Sequence, residues 1–266
     1  MTSVNKAIIL CAKILGALII AGIVCSVLSL VAPFMGSDAD ELIHSAEVYL
    51  LEVKNIDIEL SAAELTVVTG KGFKVETNDE RAFDIENSSD MKISEKNVFG
   101  KKNNLKVILT VPEDAVLEEF SLEAGAGDLS VGKITAKQFY LEMGAGNLEI
   151  GELNANAEIN GGVGNIEIMG GTIHNLDLEL GVGDADIMAT LTGEAEIECG
   201  IGDLDIVLEG GEENYRIACD VGLGSFKVNG NKVNRNQVVG NGTNSVDIDG
   251  GMGNVSVLFV EYPVID

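Results

Sequence analysis

The residues best placed to do chemistry recur in seven copies of one motif, Gly-x-Gly followed by Asp, Asn or Ser. The copies are Gly125, Gly127 and Asp128; Gly144, Gly146 and Asn147; Gly162, Gly164 and Asn165; Gly181, Gly183 and Asp184; Gly200, Gly202 and Asp203; Gly222, Gly224 and Ser225; and Gly251, Gly253 and Asn254. Paired glycines could cradle a phosphate, but that chemistry needs a GxGxxG turn between a strand and a helix. No helical pattern follows any copy, and seven near-identical copies are not seven nucleotide sites. A column of carboxylates and amides could instead hold calcium. That ion takes roughly six to eight oxygen ligands, and calcium-binding β-rolls are also rich in Gly and Asp, with a period of about nine residues. The period here is about twice that, and the column mixes Asp, Asn and Ser. A simpler role is structural: side chains that accept from backbone N–H groups at a corner, as Asp and Asn do in turns. Weak calcium binding stays open on the sequence alone.

Other chemistry has little to stand on. His44 and His174 are the two histidines, and neither has a partner at a spacing that suggests a nucleophile and base. No CxxC or Cys/His cluster offers a zinc site. With 43 Asp and Glu, paired carboxylates carry no information. Polysaccharide lyases built on β-helices need cationic groups at the cleft, and arginine occurs only at Arg81, Arg216 and Arg235. Tyr140 and Tyr215 precede motif copies in non-adjacent repeats, thin support for a sugar-binding cleft. We expect no catalytic residue, metal or cofactor, and no enzymatic activity.

The elements that must position the motif are strands. The first glycines lie 19, 18, 19, 19, 22 and 29 residues apart. Ahead of each copy, apolar or small residues alternate: Leu122, Ala124, Ala126; Leu141, Met143, Ala145; Leu178, Leu180, Val182; Ile197, Cys199, Ile201. Period two marks strands with one buried face. The alternation resumes after the motif, as at Leu129 and Val131, but with one residue inserted. Glycine supplies the positive φ such a bulge or corner often needs. A third apolar column, Ile134, Leu153, Ile173 and Leu191, marks a return segment. A unit of this size cannot bury a core alone, whereas stacked coils can. The fold expected is all-β, a single-stranded parallel β-helix or β-solenoid with coils of about 19 residues. In-register stacking in chain order, at about 4.8 Å per coil, gives seven coils a length of roughly 34 Å. It also places the Asp/Asn residues in one column, with an outward acidic strip, Glu149, Glu167, Asp186 and Asp205, two residues further on. Cys199 and Cys219 fall inward in neighbouring coils, about 8 Å apart at Cα, too far for a disulfide. A fainter copy of the repeat, Ser61 to Val67, lacks both glycines.

The chain has 266 residues, 32 of them Gly, and a formal net charge of −26. So acidic a surface argues against nucleic acid, whose phosphates need Lys and Arg, and it disfavours anionic lipid headgroups. Residues 14–34 carry no charge, follow Lys6 and Lys13, and precede an acidic stretch. At 1.5 Å per residue a helix of that length spans about 31 Å, a bilayer core. The positive-inside bias puts the N-terminus in the cytoplasm and the rest outside. A cleaved signal peptide is the rival reading, with a shorter apolar core and a small-x-small site. Val24 before Cys25 does not resemble a lipoprotein site. The organisation expected is a cytoplasmic segment 1–13, a transmembrane helix 14–34, a linker 35–47, irregular capping coils 48–120, and a regular solenoid 121–266 with an insertion at 229–245.

From about Val53 to Val257 the chain resembles a bacterial β-strand-repeat family of unknown function, labelled "putative adhesin". The resemblance rests on Val111-Pro112 before a polar turn and on the serial Gly-x-Gly-Asp/Asn copies. It implies relatives in Gram-positive bacteria with one membrane segment, some of them tied to envelope stress, and it carries no catalytic residues. The function expected is a membrane-tethered, non-enzymatic interaction module of the cell envelope, in adhesion or in stress signalling. Its partner would be an envelope protein, a peptide or a polysaccharide. The alternatives are a carbohydrate-active β-helix enzyme and a structural spacer; oligomeric state and handedness are not legible.

Overall fold

The computed structural model describes residues 44–47, 53–86, 88–100, 104–234 and 237–261. The expected cytoplasmic segment and transmembrane helix lie outside them. Among the described residues no helix is long and apolar enough to cross a membrane.

The alternating segments form strands that pair parallel with the equivalent strands of neighbouring coils, which makes an all-β solenoid. Nine coils stack among the described residues, numbered here by position in the stack. Coil 1 holds Asp90–Glu95 and Lys106–Pro112. Coil 2 holds Asn55–Leu60 and Glu64–Gly70. Coils 3 to 7 follow in chain order, with their motifs at Gly125, Gly144, Gly162, Gly181 and Gly200. Coil 8 is Asn244–Met252 with Val255–Val260. Coil 9 is Tyr215–Leu223 with Phe226–Val228.

The order of the coils departs from the order of the chain at both ends. Asn55–Leu60 lies between Asp90–Glu95 and Leu117–Ala126, parallel to both. Asn244–Met252 lies between Glu194–Ile201 and Tyr215–Leu223, again parallel to both. The second strand of each coil repeats the arrangement. The expected stacking in chain order is therefore corrected: the first and last coils of the described chain are each inserted one place inward. The outermost coils are closed differently. Phe83–Glu86 and Lys74–Thr77 run antiparallel along coil 1, and His44–Glu47 adds to the latter. Asn231–Val233 folds back antiparallel on coil 9, and Val239 bridges to Ile217. An exposed parallel edge invites further pairing, and reversing strands blunts it.

The inward residues form one hydrophobic core along the stack. Phe120 and Phe139 stack between coils 3 and 4 with centroids 5.4 Å apart. The return-segment residues Ile134, Leu153, Ile173 and Leu191 are buried as expected. Residues 44–47 of the linker form a strand. Residues 53–112, in the stretch expected to hold irregular capping coils, contain two complete coils. His174 sits within the strand Thr172–Val182. Cys199 and Cys219 are buried free thiols. Coil 8 stands between their coils, so they are not neighbours at all.

Candidate functional site

Each motif makes one corner of a coil, and stacking explains its residue types. At Gly183 φ is +145°, and a Cβ there would lie 1.8 Å from the Gly164 carbonyl oxygen of the coil below. The second glycine is thus required both by conformation and by the approach of the next coil. The first glycine meets the same obstacle: a Cβ on Gly200 would lie 2.5 Å from Gly181 O. Gly222 faces Gly251, not Gly200, as the inserted coil demands.

The third motif residue forms a ladder between coils. Asp128 Oδ1 accepts from the backbone N–H and the side-chain amide of Asn147, both at 3.0 Å. Asn147 Oδ1 accepts from Asn165 N at 3.2 Å, and Asn165 Oδ1 from Asp184 N at 3.1 Å. Asp184 Oδ1 accepts from Asp203 N at 2.8 Å. Asp203 Oδ1 then accepts from Asn254 N at 2.6 Å, and Ser225 Oγ donates to Asn254 Oδ1 at 2.9 Å. From Asp128 to Asp203 each side chain caps the neighbouring coil's corner, not its own, and between Asn254 and Ser225 the contact is side chain to side chain. At the other end Glu95 continues the ladder, its Oε2 accepting from Ser61, Ala62 and Ala63 N at 2.8, 2.8 and 3.2 Å. Among the described residues no group of His, Cys, Asp and Glu is arranged to hold a metal ion.

The middle residue of Gly-x-Gly is where sequence reasoning fails. Ala126, Ala145, Val182 and Ile201, expected inward, all face solvent. The inward step runs from Ala124 directly to Leu129, so four corner residues lie on the convex side of a bend, where parity no longer decides direction. These residues stack in register as Ala126, Ala145, Val163, Val182, Ile201, Met252 and Leu223. The result is an apolar ridge along the corner, and its five larger members are 43–67% exposed.

Acids frame the ridge. On one side a shallow groove of about 620 Å³ has a floor of first glycines and a wall that includes Glu142, Glu179, Glu198 and Asp249. The wall continues to Asp220, and a second column, Glu158, Asp177, Glu196 and Asp247, runs beside it. On the other side the expected strip is present: Glu149, Glu167, Asp186 and Asp205 stand in register. Partial burial, then the neighbouring Glu149 and Asp186, push the Glu167 carboxyl up from its ordinary value. Asp186 is raised by burial, Asp205 and Asp184. Glu198 is raised by loss of solvent, then by Glu179, Glu196, Asp249 and Asp177. The stretch between Lys137 and Lys227 has no Lys and a single Arg, Arg216. Salt bridges through lysine, such as Lys92 with Asp57 and Lys137 with Glu118, fall in coils 1 to 4.

The remaining candidates do not assemble. Tyr140 is exposed on the sheet face, whereas Tyr215 is buried and donates to Glu209 O at 2.7 Å. His174 Nδ1 lies 3.1 Å from Thr192 Oγ1 on the return face.

The chain belongs to the Toastrack DUF4097 family. The family model matches residues 50–223, so the match stops at the end of the first strand of coil 9. Among curated proteins none matches the chain. Solved structures similar to this Toastrack chain include one titled "putative cell adhesion protein", from Clostridium sporogenes. It is 16% identical over 82% of this chain and 99% of its own, with a TM-score of 0.30. A "putative adhesin" from Bacteroides fragilis is 15% identical over 80% and 95%, with a TM-score of 0.41. A "putative lipid binding protein" from Parabacteroides distasonis is 12% identical over 80% and 95%, with a TM-score of 0.36.

Proposed function

We propose that this Toastrack chain is a membrane-tethered, non-enzymatic interaction module of the bacterial envelope, serving adhesion or envelope-stress signalling. Residues 14–34 would anchor it, with the solenoid outside the cytoplasmic membrane. The observation that supports binding is the apolar ridge, whose five larger members are 43–67% exposed, whereas the other outward apolar column, Met188, Val207 and Leu258, is shorter and less exposed. Exposed apolar surface in a contiguous line, rimmed by polar groups, is typical of interaction sites. The glycine corners and their ladder serve the scaffold and leave the outward faces free for a partner.

Two measurements test this. Protease added to intact cells should digest the solenoid; protection until the cells are lysed would place it on the wrong side of the membrane. Full-length chain should capture a specific envelope component after cross-linking in cells, and Val182→Ser with Ile201→Ser should weaken that capture. Recovery of no specific component across several growth conditions counts against the reading. Release of sugar fragments from cell-wall polysaccharide by the purified chain would replace it with an enzymatic one.

A further inference from the structure

We infer that the ridge of coils 5 to 9 is the seat of a cationic amphipathic α-helix contributed by another polypeptide. The inference rests on the interaction-module reading and specifies the partner's chemistry.

Two gradients along the stack coincide. The ridge residues grow from Ala126 and Ala145 to Val163, Val182, Ile201, Met252 and Leu223. From coil 5 to coil 8 the strands carry no lysine; acids line both sides of the ridge through coil 7 and the groove side through coil 9, whereas the opposite strip continues as Ser256 and Lys227. A ridge kept apolar only for local packing has no reason to enlarge where the charge becomes one-sided. A ligand that is apolar along one stripe and cationic on its flanks accounts for both.

Period selects a helix. Ridge residues repeat at about 4.8 Å, the spacing of paired strands. One face of an extended strand presents a side chain every ~6.8 Å, and it is half a period out of step after about two coils. A helix presents its stripe every ~5.4 Å, and over four coil steps it drifts by only about 2.4 Å, less than half a period. The five larger ridge residues span about 19 Å, the length of roughly 13 helical residues. A helix lying there has Glu179, Glu198 and Asp249 along one flank, with Asp184, Asp203, Asp186 and Asp205 along the other. Lys and Arg stems can lie along apolar surface while their charged ends reach such acids. Charge rules out the obvious competitors: a second copy of this acidic chain and an anionic bilayer would both be repelled.

The test uses the full chain in phosphatidylcholine nanodiscs, with empty nanodiscs as baseline. The probe is a labelled 14-residue Lys/Leu peptide with its leucines on one helical stripe; an isomer of identical composition has them dispersed. The striped peptide should bind at least tenfold more tightly than the isomer. Val182→Ser, Ile201→Ser and Met252→Ser together should remove at least tenfold of that affinity while leaving circular dichroism unchanged. Glu179→Gln, Glu198→Gln and Asp249→Asn together should flatten its salt dependence. In the unsubstituted chain, a photoreactive leucine in the stripe should cross-link to peptides containing 182, 201 or 252, a readout that does not depend on any variant folding. Equal binding of stripe and isomer, or cross-links confined to other faces, overturns the inference. A chain that captures its envelope component but ignores the striped peptide overturns this inference alone; one that does neither overturns the broader reading as well.

Discussion

At the scale of single residues the motif separates into two requirements that mutation can distinguish. Gly183 must have positive φ and must admit the Gly164 carbonyl, so Gly183→Ala combines backbone strain with overpacking. Its loss of stability should be about 3 kcal/mol. Gly230 also has positive φ, at +76°, but nothing lies within 4 Å of its would-be Cβ. Gly230→Ala should therefore cost only about 1 kcal/mol. Chemical denaturation of both variants checks the comparison; equal losses would mean that stacking closeness is irrelevant. The ladder requires an acceptor oxygen, not a charge. Asp184→Asn keeps Oδ1 for the Asp203 N–H and should be neutral or slightly stabilising, whereas Asp184→Ala should lose about 1 kcal/mol. A marked loss in the Asn variant would show that charge itself matters at the corner.

At the scale of elements, the insertion of coil 8 between coils 7 and 9 changes which part of the chain is an end. Solenoid termini ordinarily fray because the last coil has one neighbour. Here Val246 and Ile248 are buried with a paired strand on each side, although few described residues follow. Hydrogen exchange should find the amides of 246–252 slower than those of 217–223; the reverse order would mean that chain position, not stack position, governs opening. The sequence displays the coils clearly, because each must repeat the same inward columns and the same corner. It does not display their order, because what makes every coil legible also makes coils interchangeable: Asn254 N fits the oxygen of Asp203 as Ser225 N would. The longer intervals before Gly222 and Gly251 are the available signal, since a chain that skips a coil and returns needs extra length. The ridge was hidden for a different reason. Alternation extended to Val182 and Ile201 points them inward, because an apolar side chain near a strand end suggests burial. Only the bend at the glycines reverses that.

At the scale of the whole molecule, charge sets how the solenoid responds to pH. Coils 5 to 8 align carboxylates a strand spacing apart, and like charges directly opposite destabilise a sheet. Glu167, Asp186 and Glu198 respond by holding their protons more tightly in the folded chain than the ordinary carboxyl does, chiefly through loss of solvent and then through their acidic neighbours. The sign follows from linkage. A carboxyl whose folded pKa is raised contributes stability that is present below its unfolded pKa, near 4, and is lost as pH rises through the folded value. Many proteins lose stability on acidification because paired carboxylates are neutralised; this array should gain it. The melting temperature should rise between pH 7.5 and pH 5, and added salt should raise it at pH 7.5 more than at pH 5. Glu167→Gln, Asp186→Asn and Glu198→Gln together should stabilise the chain at pH 7.5 and flatten the pH dependence. A melting temperature that falls steadily from pH 7.5 to pH 5 would show that the lysine pairs of coils 1 to 4, not the acidic array, dominate the response. The gain on acidification also bears on binding: a cationic helix seated between these columns neutralises the same repulsion, so the stabilisation it brings should be largest at pH 7.5, where the array is most fully charged.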